Sequence, residues 1–394
     1  MERSEDSIDA VARVIREEGP IGRSEIARRT GLSPSAVTML TKTLLDAGLV
    51  IENEMTPPGR GERLGRPPIL LQLDARFAAI AGAKLDRGEL NAVLTDLDGR
   101  VLARRSRRLR TADPERVGSA MARLLSALAQ AAGVPEAKVA GLGLGLSGLV
   151  DSASGTCIRS VVLDWADVPI GPMLEAGLRL PVSVENDANT LAIGEQMFGR
   201  ARGQQDFAVV SMGKGIGAGL VVAGQLYRGR FGAAGEIGHC AVREDGPLCA
   251  CGKRGCLEAV ASVSATLQRA ADLGLEVNRL EQLGRLARAG DGRALALLTD
   301  IGDAVGLALS HLVNLLNPAT LILTGSGVAI GAPLREAIEN SLHRHAFPTL
   351  PRLPELVVQR ESRDMWARGA ASLATKAYFQ ERRWDQLTKR DRSP

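Results

Sequence analysis

Residues 239–256 read HCAVREDGPLCACGKRGC. Four side chains in this stretch, His239, Cys249, Cys251 and Cys256, are good ligands for a soft divalent metal, and three of them are thiols within eight residues. Zinc favours such a set in a closed tetrahedron, where it fixes a loop rather than performing chemistry. The alternative is a cluster of buried free thiols. Gly252 and Gly255 favour the chelating loop, because they supply the tight turns it needs. Cys240 and Cys157 lie outside the spacing and read as ordinary small buried residues. Gly235-Glu236-Ile237-Gly238 precedes the cluster and Glu258 follows it. Two carboxylates flanking the expected metal predict a polar binding pocket that the metal shapes.

At 394 residues the chain is too long for one compact core, and two or three domains are expected. An apolar fraction of 45% and a charged fraction of 24% are those of a globular protein in water. The first residues, MERSEDSID, lack the apolar core of a secretory signal, and no run of eighteen apolar residues suggests a membrane span. Five cysteines, three of them in one loop, fit a reducing cytoplasm and metal binding better than a disulfide framework. The net charge of +4 is mild, and residues 1–74 carry ten Lys or Arg against twelve Asp or Glu. Any expectation of nucleic-acid binding therefore rests on pattern, not on charge. The clusters Arg104 to Arg110 and Arg382 to Arg392 read as a solvated face and a basic tail.

Ile8 to Glu18 has helical apolar spacing and ends at Gly19-Pro20. A short helix, SEIARRT, follows with Ser24 as its expected cap, and then the turn Gly31-Leu32-Ser33. Ser33 is placed to cap the next helix, with Pro34 at its first position. Val37, Leu40, Leu44 and Leu45 face inward at helical spacing, leaving Ser35, Thr38, Met39 and Lys42 outward. Short polar side chains on that face suit a helix lying in a major groove. A helical hairpin that binds a protein is the alternative. Against it, Leu49-Val50-Ile51 and Ile69-Leu70-Leu71 read as two strands flanking a Gly/Pro-rich stretch that bears Arg60, Arg63 and Arg66. Together these elements predict a winged helix-turn-helix, and an arginine between Gly and Pro can enter a narrow minor groove.

From Ala78 onward strands and helices alternate, which predicts an α/β fold. FAAIAGAKL, ELNAVLTDLDG and RVLARRS form three consecutive expected strands, with Asp98-Gly99 as a hairpin signal. A helix over Pro114 to Ala132 and a buried strand over Val139 to Leu146 follow. Pro181 to Glu185 is a strand that delivers Asn186-Asp187-Ala188-Asn189 at its carboxyl end, where ligands gather in such folds. Later come a glycine-rich turn at 213–219, a helix over Ile301 to Leu316, a strand at Leu321 to Leu323 and a last helix from Met365 to Gln380.

GKGIGAG (213–219), GEIGH (235–239), CACGKRGCLE (249–258) and ENDAN (185–189) together resemble the ROK family, which holds both sugar kinases and transcriptional repressors. The resemblance covers nearly the whole chain, since the repressor branch also carries an N-terminal winged helix-turn-helix. It implies an actin-like, ribonuclease-H-like fold of two lobes with a sugar site in the cleft between them. The expected division is a DNA-binding head (1–75), a first lobe (76–187) on which the 365–380 helix packs back, a second lobe with the zinc loop (188–364) and a basic tail (381–394). By position, Asn186 and Asp187 match the family's sugar-contacting Asn and catalytic Asp. Glu236, His239 and Glu258 match residues that hold sugar hydroxyls, and His239 would also ligate zinc with Cys249, Cys251 and Cys256.

The nucleotide side departs from the family. The kinases wrap phosphates with an Asp-x-Gly-Gly-Thr turn, which falls here on Lys84-Leu85-Asp86-Arg87-Gly88. Asp86 would put negative charge near the phosphates, and Lys214 replaces the usual Thr of the second phosphate loop. On the sugar side, Ser147-Gly148 replaces Pro-Gly, and Val162-Leu163-Asp164-Trp165 replaces Asn-Leu-x-Trp. The expectation is a cytoplasmic, non-enzymatic repressor of sugar-utilisation genes in which Asp187 is a vestigial general base. It would bind double-stranded operator DNA through Ser33, Pro34, Ser35, Thr38, Met39, Lys42, Arg60, Arg63 and Arg66, as a homodimer or higher homo-oligomer. A monosaccharide or sugar phosphate would be its effector and zinc a structural ion. The alternatives are an ATP-dependent ROK sugar kinase and a regulator controlled by a protein partner, its sugar site vestigial.

Overall fold

The computed structural model describes residues 2–53, 69–360, 362 and 364–381. The N-terminal head has helices at Glu2–Glu18, Arg23–Thr30 and Pro34–Asp46, with antiparallel strands Val50–Asn53 and Leu70–Leu73. Ile21–Gly22 joins as a third strand on Leu70–Leu73, a pairing too short to read from periodicity. Ser33 caps the third helix by accepting the Ala36 N–H, and Pro34 takes the first turn, as the sequence requires. Ser24 is not a cap: the second helix starts one residue earlier, from Gly22, with no side-chain cap. Arg60, Arg63 and Arg66 lie outside the described residues.

Two five-stranded sheets with identical topology follow. In the first, Ala79–Asp86, Glu89–Asp96 and Val101–Arg108 run antiparallel, and Val139–Leu146 and Val182–Asn186 add in parallel on the other side of Ala79–Asp86. In the second, Phe207–Met212, Ile216–Val222 and Gln225–Leu226 are the antiparallel run, and Thr320–Thr324 and Glu355–Val358 the parallel additions. This repeat is the actin-like, two-lobed arrangement. A smaller sheet at Leu149–Asp151, Thr156–Ser160 and Trp165–Val168 was not evident from the sequence, because its strands are short and half exposed. The long apolar helix Gly292–Leu316 is the central core helix of the second lobe, with Leu297, Leu298, Ile301, Val305 and Leu309 buried.

The C-terminal helix, Met365–Gln380, ties the parts together. Ala371, Ala374 and Tyr378 share a core with Ile8, Val11, Ile15 and Leu49 of the head and with Ile80 and Ala140 of the first sheet. Its upper half lies directly on the first sheet, where a Cβ at Gly143 would collide with the Ala370 carbonyl. It also crosses the helix Asp187–Phe198 so closely that a Cβ at Gly369 would strike the Thr190 carbonyl. Gly369→Ala is expected to cost about 1–3 kcal/mol through overpacking. Gly177→Ala, in a helix where the new methyl meets nothing within 4 Å, is expected to gain up to about 1 kcal/mol. Denaturation followed by circular dichroism checks both signs.

Candidate functional site

The parallel strands of both sheets point their carboxyl ends at one cleft. Val182–Asn186 ends in Asn186, which caps the helix Asp187–Phe198 by accepting the Asn189 N–H on its Oδ1. Its Nδ2 donates to the Gly148 carbonyl, so the Asn186 amide is half committed to the scaffold. Asp187 follows in the first turn of that helix, where one oxygen accepts the Ala188 N–H. From the opposite lobe, Glu258 accepts the Ile216 N–H, which fixes the Gly213–Gly215 turn. Glu236, on the same lobe as Glu258, lies near enough to Asp187 and Glu258 to feel both charges. Its side chain is 45% exposed; the protein packed around the rest of it pushes the carboxyl above the ordinary value, the charges of Asp187 and Glu258 push the same way, and His239 opposes them.

Lys84 does not lie in a turn. Lys84, Leu85 and Asp86 extend their strand in register with Glu89–Asn91, and only Arg87 and Gly88 turn. The lysine side chain runs across the cleft floor, placing Nζ 3.5 Å from Asp187 Oδ2 and 3.3 Å from the centre of the Trp366 ring. Both members of the pair are largely enclosed, at 18% and 19% exposure. Beyond Lys84 lies an open cleft of about 1170 Å³. Trp165 turns away from the cleft and donates its indole N–H to the Ala112 carbonyl.

The cysteine loop brings His239, Cys249, Cys251 and Cys256 together, with one ligand atom from each lying within 4.8 Å of all the others. Cys251 Sγ is 3.7 Å from Cys256 Sγ, and Cys249 Sγ is 3.6 Å from His239 Nδ1. These separations match the edges, roughly 3.8 Å, of a tetrahedron built on zinc–sulfur bonds of about 2.3 Å. His239 turns its other nitrogen toward Glu236, 3.9 Å away, so one ring touches both the thiol cluster and the cleft. Gly255 has φ +67°, and any side chain there would strike the Arg243 carbonyl. Arg243 anchors the loop to Asp300, which also pairs with Arg269. Burial alone would raise the Asp300 carboxyl, but the two guanidinium groups hold it below its ordinary value. Cys157 is buried as expected, whereas Cys240 is exposed, because it leads out of a short helical turn at the loop surface.

Pattern reading missed two groups. Glu185, 1% exposed, accepts from Ser152, from the Asn186 N–H and from Asn189, and it pairs with Arg228 from the second lobe at 2.6 Å. This pair, with Glu185 buried and Arg228 still 37% exposed, ties the segment leading to Glu236 onto the first lobe. Trp366 was likewise hidden, its indole having no sequence neighbour that marks it as part of the cleft. On the head, Ser35, Thr38, Met39 and Lys42 all face solvent on one side of the third helix, with Met39 at 62% exposure.

The ROK family model matches residues 81–377, and a winged helix-turn-helix DNA-binding model matches residues 13–51. The chain belongs to the ROK family. The xylose repressor of Bacillus spizizenii is 27% identical over 366 residues, covering 93% of this chain and 94% of that protein. The DNA-binding transcriptional dual regulator NagC of Escherichia coli (strain K12) is 30% identical over 382 residues, covering 93% and 92%. The crystal structure of a ROK family transcriptional regulator, a homologue of the E. coli MLC protein, superposes with a TM-score of 0.83 at 26% identity, covering 99% of this chain and all of that one. This ROK protein thus carries its DNA-binding head and its two-lobed domain in the arrangement of a solved family regulator.

Two expectations follow from the ion pairs. Arg228→Met leaves Glu185 with three donors but no charge partner, and is expected to lower stability by about 1–3 kcal/mol in denaturant titrations. Because the Asp300 carboxyl is depressed, its contribution is present above the ordinary carboxylate range and lost as pH falls through the lower folded value. Asp300→Asn should therefore destabilise the wild type at neutral pH and flatten its acid limb in a pH-resolved melting series.

Proposed function

We propose that this ROK protein is a transcriptional repressor of sugar-utilisation genes, controlled by a monosaccharide or sugar phosphate in the interlobe cleft. The observation that carries the reading is the contrast across that cleft. On one side Asn186, Asp187, Glu236, His239 and Glu258 offer an amide, carboxylates and an imidazole, a set that can accept from and donate to a polyol and select among epimers. On the other, an ammonium stands beside Asp187, where a kinase needs a carboxylate free to take a proton from the attacked hydroxyl. The names of the relatives, a xylose repressor and NagC, support a regulator over an enzyme.

The third helix of the head would enter the major groove. Ser33, Pro34 and Ser35 would lie at its leading end, with Thr38, Met39 and Lys42 along the exposed face. Met39 is suited to a thymine methyl and Lys42 to a phosphate. Arg60, Arg63 and Arg66 would reach the minor groove. Two heads in a homodimer would read half-sites about one helical turn apart. His239, Cys249, Cys251 and Cys256 would hold a structural zinc ion that stiffens the wall carrying Glu236 and His239.

A gel-shift assay with the duplex upstream of the protein's own gene, repeated across a sugar panel, is expected to show specific binding and one sugar that changes it. Turnover of ATP with any sugar of that panel would overturn the reading in favour of a kinase. Metal analysis is expected to find about one zinc per chain, lost in Cys251→Ser, with a lowered melting temperature in chelator.

A further inference from the structure

Lys84 belongs to no recognised part of the sugar site, yet it touches two elements that must report on it. Its ammonium is shared between the carboxylate of Asp187 and the face of Trp366. Trp366, 5% exposed, sits in the first turn of the C-terminal helix. That helix spans about 24 Å at 1.5 Å per residue. At its far end Tyr378 is buried with Ile8, Val11 and Ile15 of the head, and Arg16 of the head's first helix lies over the Phe379 ring at 4.8 Å.

The path between these ends has little slack. Side chains at Gly82 and Gly143 would clash with the Ala367 and Ala370 carbonyls, and one at Gly369 with that of Thr190. Backbones packed this closely shift as a body rather than by local bending. A second tie, Arg368, stacks on Phe198 at 3.8 Å and donates to the Gly99 carbonyl, joining the same helix to the hairpin beneath the head.

We propose that Lys84 is the positioning residue that couples occupancy of the sugar side to the DNA-binding head. This rests on the functional reading above. In the structure the ammonium bridges Asp187 and Trp366 and pins the start of the C-terminal helix. A hydroxyl donating to Asp187 draws on the same carboxylate oxygens, so the ammonium loses part of its partner. Ligand and lysine compete for one acceptor, which gives the sugar a differential affinity for two positions of the helix. A cation held over an indole in an enclosed site is attracted more strongly than at an exposed one, so its displacement is felt by the helix that carries Trp366.

The test compares wild type, Lys84→Met and Lys84→Arg as full chains. D-xylose and N-acetyl-D-glucosamine binding is measured by calorimetry, and affinity for the upstream duplex is measured with and without saturating sugar. Wild type is expected to change its duplex affinity by about 5–150-fold with the active sugar. Lys84→Met, with the competitor removed, is expected to bind that sugar at least threefold more tightly while its duplex affinity responds less than threefold. Lys84→Arg keeps the cation and is expected to keep most of the response. A residue needed only for folding would lower stability and leave the response ratio intact. A full wild-type response surviving in Lys84→Met overturns the coupling alone. A wild type whose duplex affinity neither sugar changes brings down the functional reading for these sugars, and the coupling with it.

Discussion

The close approach of the C-terminal helix to two other elements is the constraint on which the rest of this molecule depends. Glycines at 82, 143 and 369 remove the side chains that would hold it away from the first sheet and from the helix Asp187–Phe198. Because of that contact one helix becomes common to the cleft, the first lobe and the head. Alanines at 367, 370, 371 and 374 extend the same logic along its length, each buried without filling much space. A larger residue at any of them would gain apolar area and lose the shared geometry.

Charge at the cleft follows a similar economy. Asp187, Glu236 and Glu258 converge on a space that no single lobe encloses, and such groups repel unless each finds a donor. Glu258 finds the Ile216 N–H, Asp187 the Ala188 N–H and Lys84, and Glu236 has His239 nearby. Glu185, the most deeply buried acid of the group, is the one with a full complement of donors and a guanidinium. The gradient runs from a fully satisfied, buried carboxylate in the scaffold to a solvent-exposed one at the cleft, Glu236.

Much of the fold was legible because its signals are local. The helix Pro114–Ala132 and the strand Val139–Leu146 coincide with the periodic segments, and Met365–Gln380 does as well. The cysteine spacing placed four ligand atoms in one cluster, since two turns of glycine leave the chain few other ways to run. What escaped was non-local. The phosphate-turn equivalent was read as a turn because its position was inherited by counting, whereas Lys84 and Asp86 are strand residues paired across to Asn91 and Glu89. Cys240 was misjudged because burial of a loop residue depends on what the loop packs against, and periodicity does not record that.

The lysine itself shows why the remaining step needed coordinates. In sequence Lys84 is one basic residue at the end of an apolar strand, and its meaning is only that an acid is missing. In space it stands within reach of an acid 103 positions later and an indole 282 positions later. Under the proposed function, the acid missing at Lys84 and the contact made there with the helix that runs to the head are one feature with two physical effects. On the proposed reading, a cation in place of an acceptor at that point makes one ligand's occupancy felt by the C-terminal helix, because that rigid element already connects the cleft to the head.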